Sequence, residues 1–361
     1  MKKTGFYNIH KNLGAKLVEF AGYEMPIQYE GIIAEHKAVR ESVGVFDVSH
    51  MGEVEVRGKD AFDFVQRITT NDVSKLAIGD VQYSAMCYKD GGIVDDLLVY
   101  NCGDYYMLVI NASNIDKDIK WMEENISGDV TLKNISDEVS LLAVQGKNSL
   151  PTLQKLTDVD LSKIEYYKFV KGKIGGHDAI ISHTGYTGEK ICFEIYSSSD
   201  VKKSEELWNA IFEAGKEFNI KPIGLGARDT LRLEYAFRLY GNDMDETANT
   251  IEAGLGWITK PDKGDFNGKD VILKAKENSA RKLVGFIVDD RMVARHGQEV
   301  FSCGDESKKI GVVTSGSMSP MLNKNIGLAY IDNGFNKTGT QIEIEIRNKR
   351  IKATVAKTPF L

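Results

Sequence analysis

YSAMCYKDGGIVDDLLVYNCGDYYMLVI, residues 83–110, contains three apolar, tyrosine-rich runs at 83–88, 93–100 and 105–110. Between them lie Lys89-Asp90-Gly91-Gly92 and Gly103-Asp104, short polar links with the glycines that tight reversals need. Strands joined this closely lie antiparallel, because a parallel neighbour needs a crossover of roughly a dozen residues or more. The stretch therefore predicts an α+β protein and not a repeating strand–helix beat.

Working outward, residues 28–43 show helical spacing through Ile32, Ile33, His36, Val39 and Val43. Residues 45–56 then switch to strand-like alternation, and 60–68 form a short amphipathic helix. Helices are also predicted at 114–125, 203–218, 226–240 and 269–278, the third stopping at Gly241. Residues 139–144, 178–182 and 190–196 read as strands, the last two around Thr184-Gly185-Tyr186-Thr187-Gly188. From about residue 281 only short strands remain, with a reversal at Asn348-Lys349. Ile342, Ile344 and Ile346 alternate there with Glu343, Glu345 and Arg347, giving one buried and one wet face. That texture predicts a separate small β-barrel or sandwich.

The chain has 361 residues, with 46 Lys and Arg against 52 Asp and Glu, a net charge of −6. That length predicts two or three domains, and the acidic balance argues against the basic face that nucleic-acid binding requires. Cys87, Cys102, Cys192 and Cys303 lie far apart with no CxxC pair, which suits neither a zinc site nor a disulfide framework. Neither a secretory leader nor an Arg-rich presequence is expected, since polar residues interrupt the N-terminus and Arg40 is the first arginine. No run approaches the ~20 apolar residues of a membrane span. A cytoplasmic protein is expected.

Several chemistries lose support directly. Gly224-Leu225-Gly226 lacks the third glycine of a dinucleotide fingerprint, residues 264–269 are one short of a P-loop, and neither HExxH nor GxSxG occurs. No metal and no nucleotide cofactor is expected.

Asp95 and Asp96 interrupt a strongly apolar strand, where unpartnered acids are costly. Adjacent strand residues face opposite ways, so the two cannot share a proton; one caps or pairs while the other faces a cavity. Two solvent-facing edge aspartates are the alternative. Glu194, in Ile191-Cys192-Phe193-Glu194-Ile195-Tyr196, offers two acceptors side by side, suited to a ligand with two adjacent N–H donors or to a structural arginine. Arg228, after the paired glycines and opening a helix, could grip a carbonyl or carboxylate, or else pair with Asp229 or Glu234. Nine tyrosines, including Tyr83, Tyr100, Tyr166 and Tyr186, crowd the same segments and could wall a planar ligand.

Phe20-Ala21-Gly22-Tyr23-Glu24-Met25-Pro26, the Phe46-Asp47-Val48-Ser49-His50-Met51-Gly52-Glu53 run, the 91–100 strand, 184–189, 224–229 and Tyr240-Gly241-Asn242-Asp243-Met244-Asp245 occur in that order. Together with Thr314-Ser315-Gly316 and Lys357-Thr358-Pro359-Phe360, they resemble the aminomethyltransferases (T-proteins) of the glycine cleavage system. The resemblance implies two interleaved antiparallel-sheet/helix folate-binding subdomains followed by a C-terminal β-barrel. Expected bounds are 1–275 for the folate-binding region, split into about 1–50 plus 140–275 and 51–139, then 276–361 for the barrel.

The implied reaction moves the methylene carbon of a lipoyl-bound aminomethyl group from the H-protein to tetrahydrofolate, releasing ammonia. Tetrahydrofolate is the co-substrate and the lipoylated H-protein the partner. By motif match, Asp96 corresponds to the acid beside the reacting folate nitrogens, Glu194 to the acid that clasps the pterin edge, and Arg228 to the folate-site arginine. Both acids are expected to be buried. Met51, Tyr83, Asn111, Tyr166 and Tyr186 fall where the family lines its folate cavity. Many members run on past the closing motif with a tail that reaches this site; with Leu361 last, no such contact is expected. Lys2, Lys3, His10, Lys11 and Lys16, or Arg291, Arg295 and His296, could attract an acidic carrier.

The nearest rival readings are a related folate-dependent demethylase and the folate domain of an amine-oxidising enzyme. A folate-binding relative of iron–sulfur maintenance is disfavoured, because its Lys-Gly-Cys signature is missing.

Overall fold

The computed structural model describes residues 1–304 and 308–361. The chain forms two compact units, one of Met1–Val65, Val73–Tyr83 and Leu97–Asp229, the other of Gln66–Asp72, Ser84–Asp96 and Thr230–Leu361. Strands Val81–Cys87 and Ile93–Asn101 and the helix Leu225–Glu234 each pass from one unit into the other.

The first unit holds a six-stranded sheet in the order Phe169–Ile174, His177–Ser182, Cys192–Ser198, Val139–Gln145, Gly44–Asp47, Lys221–Ile223. Every pairing is antiparallel except the last, a short parallel pairing at the sheet edge. The helix Val201–Ala214 carries the chain from Cys192–Ser198 to the edge strand Lys221–Ile223, burying Leu207, Trp208 and Ile211 in one core with Val45, Leu142, Val144, Phe193 and Ile195. This helix starts at the Asp200 side chain, which accepts from Lys203 N, and ends before a 3-10 turn at Lys216–Phe218. A five-stranded sheet follows the order Val81–Cys87, Ile93–Asn101, Tyr106–Ile110, Gly52–Arg57, Thr131–Asn134.

Two sequence readings in this unit shift. The run at 45–56 is two strands, Gly44–Asp47 and Gly52–Arg57, because Asp47 and Ser49 tie the intervening residues into a turn. The helix read at 28–43 covers only Ile32–Glu41, since Gln28 closes a hairpin of Lys16–Phe20 with Tyr23–Gln28 and residues 29–31 form a loop bonded to the Glu35 carboxylate. Ala21 (φ 51°) and Gly22 (φ 82°) turn that hairpin in the left-handed region.

The second unit contains a closed barrel of six antiparallel strands: Arg281–Val288, Lys324–Asp332, Lys309–Ser319, Glu299–Ser302, Gln341–Ile346 and Lys349–Ala356, which returns to the first. Ile342, Ile344 and Ile346 all point into its core with Phe286, Val300, Val313 and Val355, as the alternation predicted. The reversal between the last two strands is centred one residue earlier than expected. Arg347 (φ 51°) and Asn348 (φ 61°) take the two left-handed positions and Lys349 already pairs.

The helix read at 226–240 stops at Glu234. Its Arg232 side chain, 1% exposed, donates from Nη1 to Asp243 Oδ2 at 2.6 Å and to Phe237 O at 2.9 Å, and from Nη2 to Ser315 Oγ at 2.9 Å. Asp243 also accepts from Thr314 Oγ1 at 2.6 Å and Leu239 N at 3.1 Å. Closing that network folds the chain back at Ala236 (φ 55°), so the helical periodicity past Glu234 goes unused. Buried Glu234 takes Ser319 Oγ at 2.5 Å, and its carbonyl accepts from Phe360 N at 2.9 Å, pinning the C-terminal residues beside the barrel strand at Gly285. No helix among the described residues is long and apolar enough to cross a membrane.

Candidate active site

The turn between Gly44–Asp47 and Gly52–Arg57 is built on Asp47. Its fully enclosed carboxylate accepts from Thr4 Oγ1 (2.6 Å), His10 Nε2 (2.8 Å), Ser49 N (2.9 Å) and Ser49 Oγ (2.6 Å). Burial pushes this carboxyl up, but the bonds to His10, Ser49 and Thr4 more than reverse it and hold it below its ordinary range. His10, read as a surface attractor for a carrier, is completely buried: its other ring nitrogen meets Tyr29 Oη at 2.8 Å and Trp208 packs edge-on.

Ser49 Oγ accepts from Leu141 N at 2.9 Å, so the turn is fastened to the six-stranded sheet and the positions of His50, Met51 and Glu53 are fixed. His50 is 1% exposed with Phe20 edge-on at 5.3 Å, and neither ring nitrogen has a hydrogen-bond partner among the described residues. Burial first, then the Arg228 charge, push its ring down to about 3, so it stays neutral near pH 7. Glu53 is likewise 1% exposed, and neither carboxyl oxygen has a partner among the described residues. Its backbone is pinned: Glu53 N donates to Ser136 Oγ at 3.0 Å, and its carbonyl accepts from Ile135 N at 2.9 Å. Burial, and then the neighbouring Glu194 charge, push the Glu53 carboxyl well above the usual carboxylate range.

Glu194, expected to be buried, is half-buried on Cys192–Ser198, because it lies on the strand face opposite fully buried Phe193 and Ile195. Its Oε2 accepts from Thr184 Oγ1 at 2.5 Å. Behind that bond runs a hydroxyl relay: Thr184 Oγ1 to Ser182 Oγ (2.9 Å), Tyr100 Oη to Ser182 Oγ (3.2 Å), and Tyr100 Oη to Tyr196 Oη (2.9 Å). Burial pushes Glu194 above its ordinary range, while Thr184, Arg228 and Tyr196 draw it back. The turn carrying Thr184 is held by Arg40 Nη1, which donates to Thr187 O at 2.7 Å and Glu189 Oε1 at 2.6 Å. A Cβ at Gly185 would stand 2.3 Å from the Gln145 side chain.

Arg228 lies with its guanidinium 4.7 Å from the centre of the Tyr186 ring, a cation–π contact joining two residues that the sequence placed in one site. The glycines ahead of it serve the fold. A Cβ on Gly224 would sit 2.3 Å from Ile27 O, and Gly224 N donates to Glu35 Oε2 at 2.7 Å. Glu35 also accepts from Tyr29 N (2.6 Å) and Gly31 N (2.9 Å), so one buried carboxylate ties the start of the Arg228 helix to the 29–31 loop.

The structure thus links Glu194, Thr184, Arg228, Tyr186, His50 and Glu53 through contact or charge within the first unit. Met51, Tyr83 and Asn111 are half-buried on three separate segments of that unit, and Tyr166 is 52% exposed against Tyr167 and His183. Asp96 ends the second unit's share of Ile93–Asn101. The expectation of a fully buried Asp96 is corrected: Asp95, on the face shared with Leu97 and Val99, is 0% exposed, whereas Asp96 lies on the alternate, partly open face with Leu98.

Sequence reasoning passed over Glu53 and His50. Glu53, Glu55 and Arg57 alternate with Val54 and Val56, which reads as a wet face, and only the contacts of the fold show that Glu53 alone on it is enclosed.

Residues 6–263 match the family model described as the GCVT N-terminal domain, and residues 281–361 match the glycine cleavage T-protein C-terminal barrel domain. The chain is 51% identical over 363 residues to an aminomethyltransferase of Chloroherpeton thalassium, covering 100% of this chain and 99% of the relative. It is 50% identical over 364 residues to that of Bacillus subtilis, with the same coverage. A crystal structure of the glycine cleavage system aminomethyltransferase T from Bartonella henselae superposes with a TM-score of 0.92 at 30% identity, covering 100% of this chain and 98% of that one. The mixed α+β unit and closed barrel therefore define a one-carbon-group transferase. The chain belongs to the aminomethyltransferase (T-protein) family of the glycine cleavage system.

Proposed function

We propose that this aminomethyltransferase takes the aminomethyl group carried on a lipoyl sulfur of the H-protein and passes its methylene carbon to tetrahydrofolate. The C–S and C–N bonds of the carried group break, two bonds to folate nitrogens form, and the products are ammonia, 5,10-methylenetetrahydrofolate and the dihydrolipoyl carrier. A cytoplasmic setting fits four cysteines that are all free, three of them buried.

One observation carries the folate assignment: Glu194 presents a carboxyl oriented by Thr184 next to the Arg228–Tyr186 stack. A carboxylate edge matches the paired donors of a pterin, its ring N–H and amino group, and the aromatic face suits a planar ring. The orphaned polar atoms of Glu53 and His50 fit a site completed by a polar ligand. In this reading Glu194 clasps the pterin, Arg228 grips the folate, and Met51, Tyr83, Asn111, Tyr166 and Tyr186 line the cavity. Asp96 is the carboxylate that stabilises positive charge developing on the methylene carbon as it leaves sulfur, and it orients the attacking nitrogen.

The test is a single-turnover assay with aminomethylated lipoyl H-protein, with and without tetrahydrofolate. Wild-type protein should form methylenetetrahydrofolate, Asp96→Asn should lose turnover while keeping folate affinity, and Glu194→Gln should lose affinity by calorimetry. Near-wild-type turnover in Asp96→Asn, or unchanged affinity in Glu194→Gln, removes the corresponding role.

A further inference from the structure

Glu53 has no assigned role in the reaction just described, yet it is a costly side chain to leave as it stands. It is 1% exposed, both carboxyl oxygens lack a partner among the described residues, and it forms no ion pair there. A carboxylate in such a place would forgo the several kcal/mol that solvation or pairing supplies, so the group takes a proton instead. Nothing nearby reverses that choice. The titratable groups whose charge reaches it are Glu194 and Tyr196 of Cys192–Ser198 and Tyr23 of Tyr23–Gln28, none of them a cation.

A protonated carboxyl differs from its neighbour Glu194 in kind: it has an O–H to donate, whereas Glu194, under the Thr184 bond and the Arg228 charge, accepts. Two carboxyls whose charges interact, one donating and one accepting, suit a planar edge that sets one acceptor beside two donors. The pterin edge has that pattern: a ring carbonyl beside the ring N–H and the amino group.

We infer that Glu53 is a second recognition residue of this site, donating a hydrogen bond to the ring carbonyl of the heterocycle whose N–H donors Glu194 holds. The inference rests on the folate reading above. It makes Glu53 a specificity determinant: a ring with an amino group in place of that carbonyl would leave the Glu53 O–H without its acceptor.

The rigid backbone supports this role. Ser136 Oγ and Ile135 N clamp both backbone polar groups of Glu53, and Gly52 leaves room for Ile110 and Ile115, which a Cβ there would meet at 2.8 and 2.7 Å. The acid therefore cannot swing away to find another partner through a backbone shift.

The experiment measures tetrahydrofolate binding by calorimetry for wild type, Glu194→Gln, Glu53→Gln and Glu53→Leu. Glu53→Gln keeps an N–H donor of similar shape and should bind within about three-fold of wild type. Glu53→Leu removes the donor and should lose roughly ten-fold or more. Discrimination against the 4-amino analogue of tetrahydrofolate should shrink in Glu53→Leu. Wild-type affinity in Glu53→Leu, or an equal loss in Glu53→Gln, overturns the inference.

Should Glu53→Leu not fold, the wild-type-minus-Glu53→Gln infrared difference spectrum decides. It should show a carboxylic acid C=O band that shifts when tetrahydrofolate binds; an ionised carboxylate, or a band that ligand does not move, overturns the assignment. The failure of the folate reading looks different: wild type itself does not bind tetrahydrofolate, or Glu194→Gln binds unchanged, and Glu53 loses its proposed role with it.

Discussion

Asp243→Ala should damage the second unit more than its size suggests. The substitution leaves the Arg232 guanidinium, 1% exposed, without its 2.6 Å partner, strips Leu239 N of its acceptor and leaves Thr314 Oγ1 only the longer bond to Leu328 O at 3.2 Å. Phe237 O and Ser315 Oγ remain on Arg232 but are neutral. Breaking a buried pair by removing one member typically costs about 3–5 kcal/mol, because the other charge stays desolvated. At about 2–4 °C per kcal/mol for a large domain, the unfolding midpoint should drop by roughly 6–20 °C.

The assay is thermal unfolding by circular dichroism, with urea unfolding to confirm the sign. An Arg232→Met/Asp243→Leu double variant sharpens it. Removing both charges should restore part of the lost stability, since a hydrophobic replacement of a buried pair is often near neutral. If Asp243→Ala shifts stability by less than about 1 kcal/mol, or the double variant is simply additive, the charge-desolvation account is wrong.

Stability should fall in acid in two windows. The His50 ring titrates near 3 in the folded chain against an ordinary value of about 6.5, so between those values the unfolded chain binds a proton the native state refuses. His50→Met should flatten the stability curve between about pH 6.5 and pH 3. The Asp47 carboxyl, held below its ordinary value, adds stability that is full above about pH 4 and is lost as pH falls through its folded value; Asp47→Asn should remove that lower step. Equilibrium unfolding across pH 3–8 checks both, and unchanged slopes would contradict them. Gly224→Ala should drive a Cβ to 2.3 Å from Ile27 O, lowering stability by about 1–3 kcal/mol and weakening tetrahydrofolate binding by moving the Arg228 helix; a variant with wild-type affinity and stability would show that the backbone yields there.

Much of the fold was readable in local pattern. The turn glycines between the 83–110 strands, the Ile342–Ile344–Ile346 alternation and the apolar stripe of Val201–Ala214 are short-range signals, because backbone geometry alone sets a period of two or 3.6. Element ends were less legible. The 226–240 periodicity continues past Glu234, but Arg232 reaches Asp243 and Ser315, and that network overrides propensity. The parallel pairing of Lys221–Ile223 with Gly44–Asp47 joins segments distant in sequence, and neither carries a mark of it.

The same division holds at the site. By itself the sequence determined which residue types were available: an acid in an apolar strand at Glu194, an arginine opening a helix at Arg228, and ordered motifs that identify the family. Only the tertiary structure decided which acid is enclosed, that His10 belongs to the interior, and that Glu53 lies within reach of the Glu194 charge with no hydrogen-bond partner among the described residues. The physical reason is that protonation and desolvation depend on everything within several ångströms in space, and those neighbours come from strands far apart along the chain.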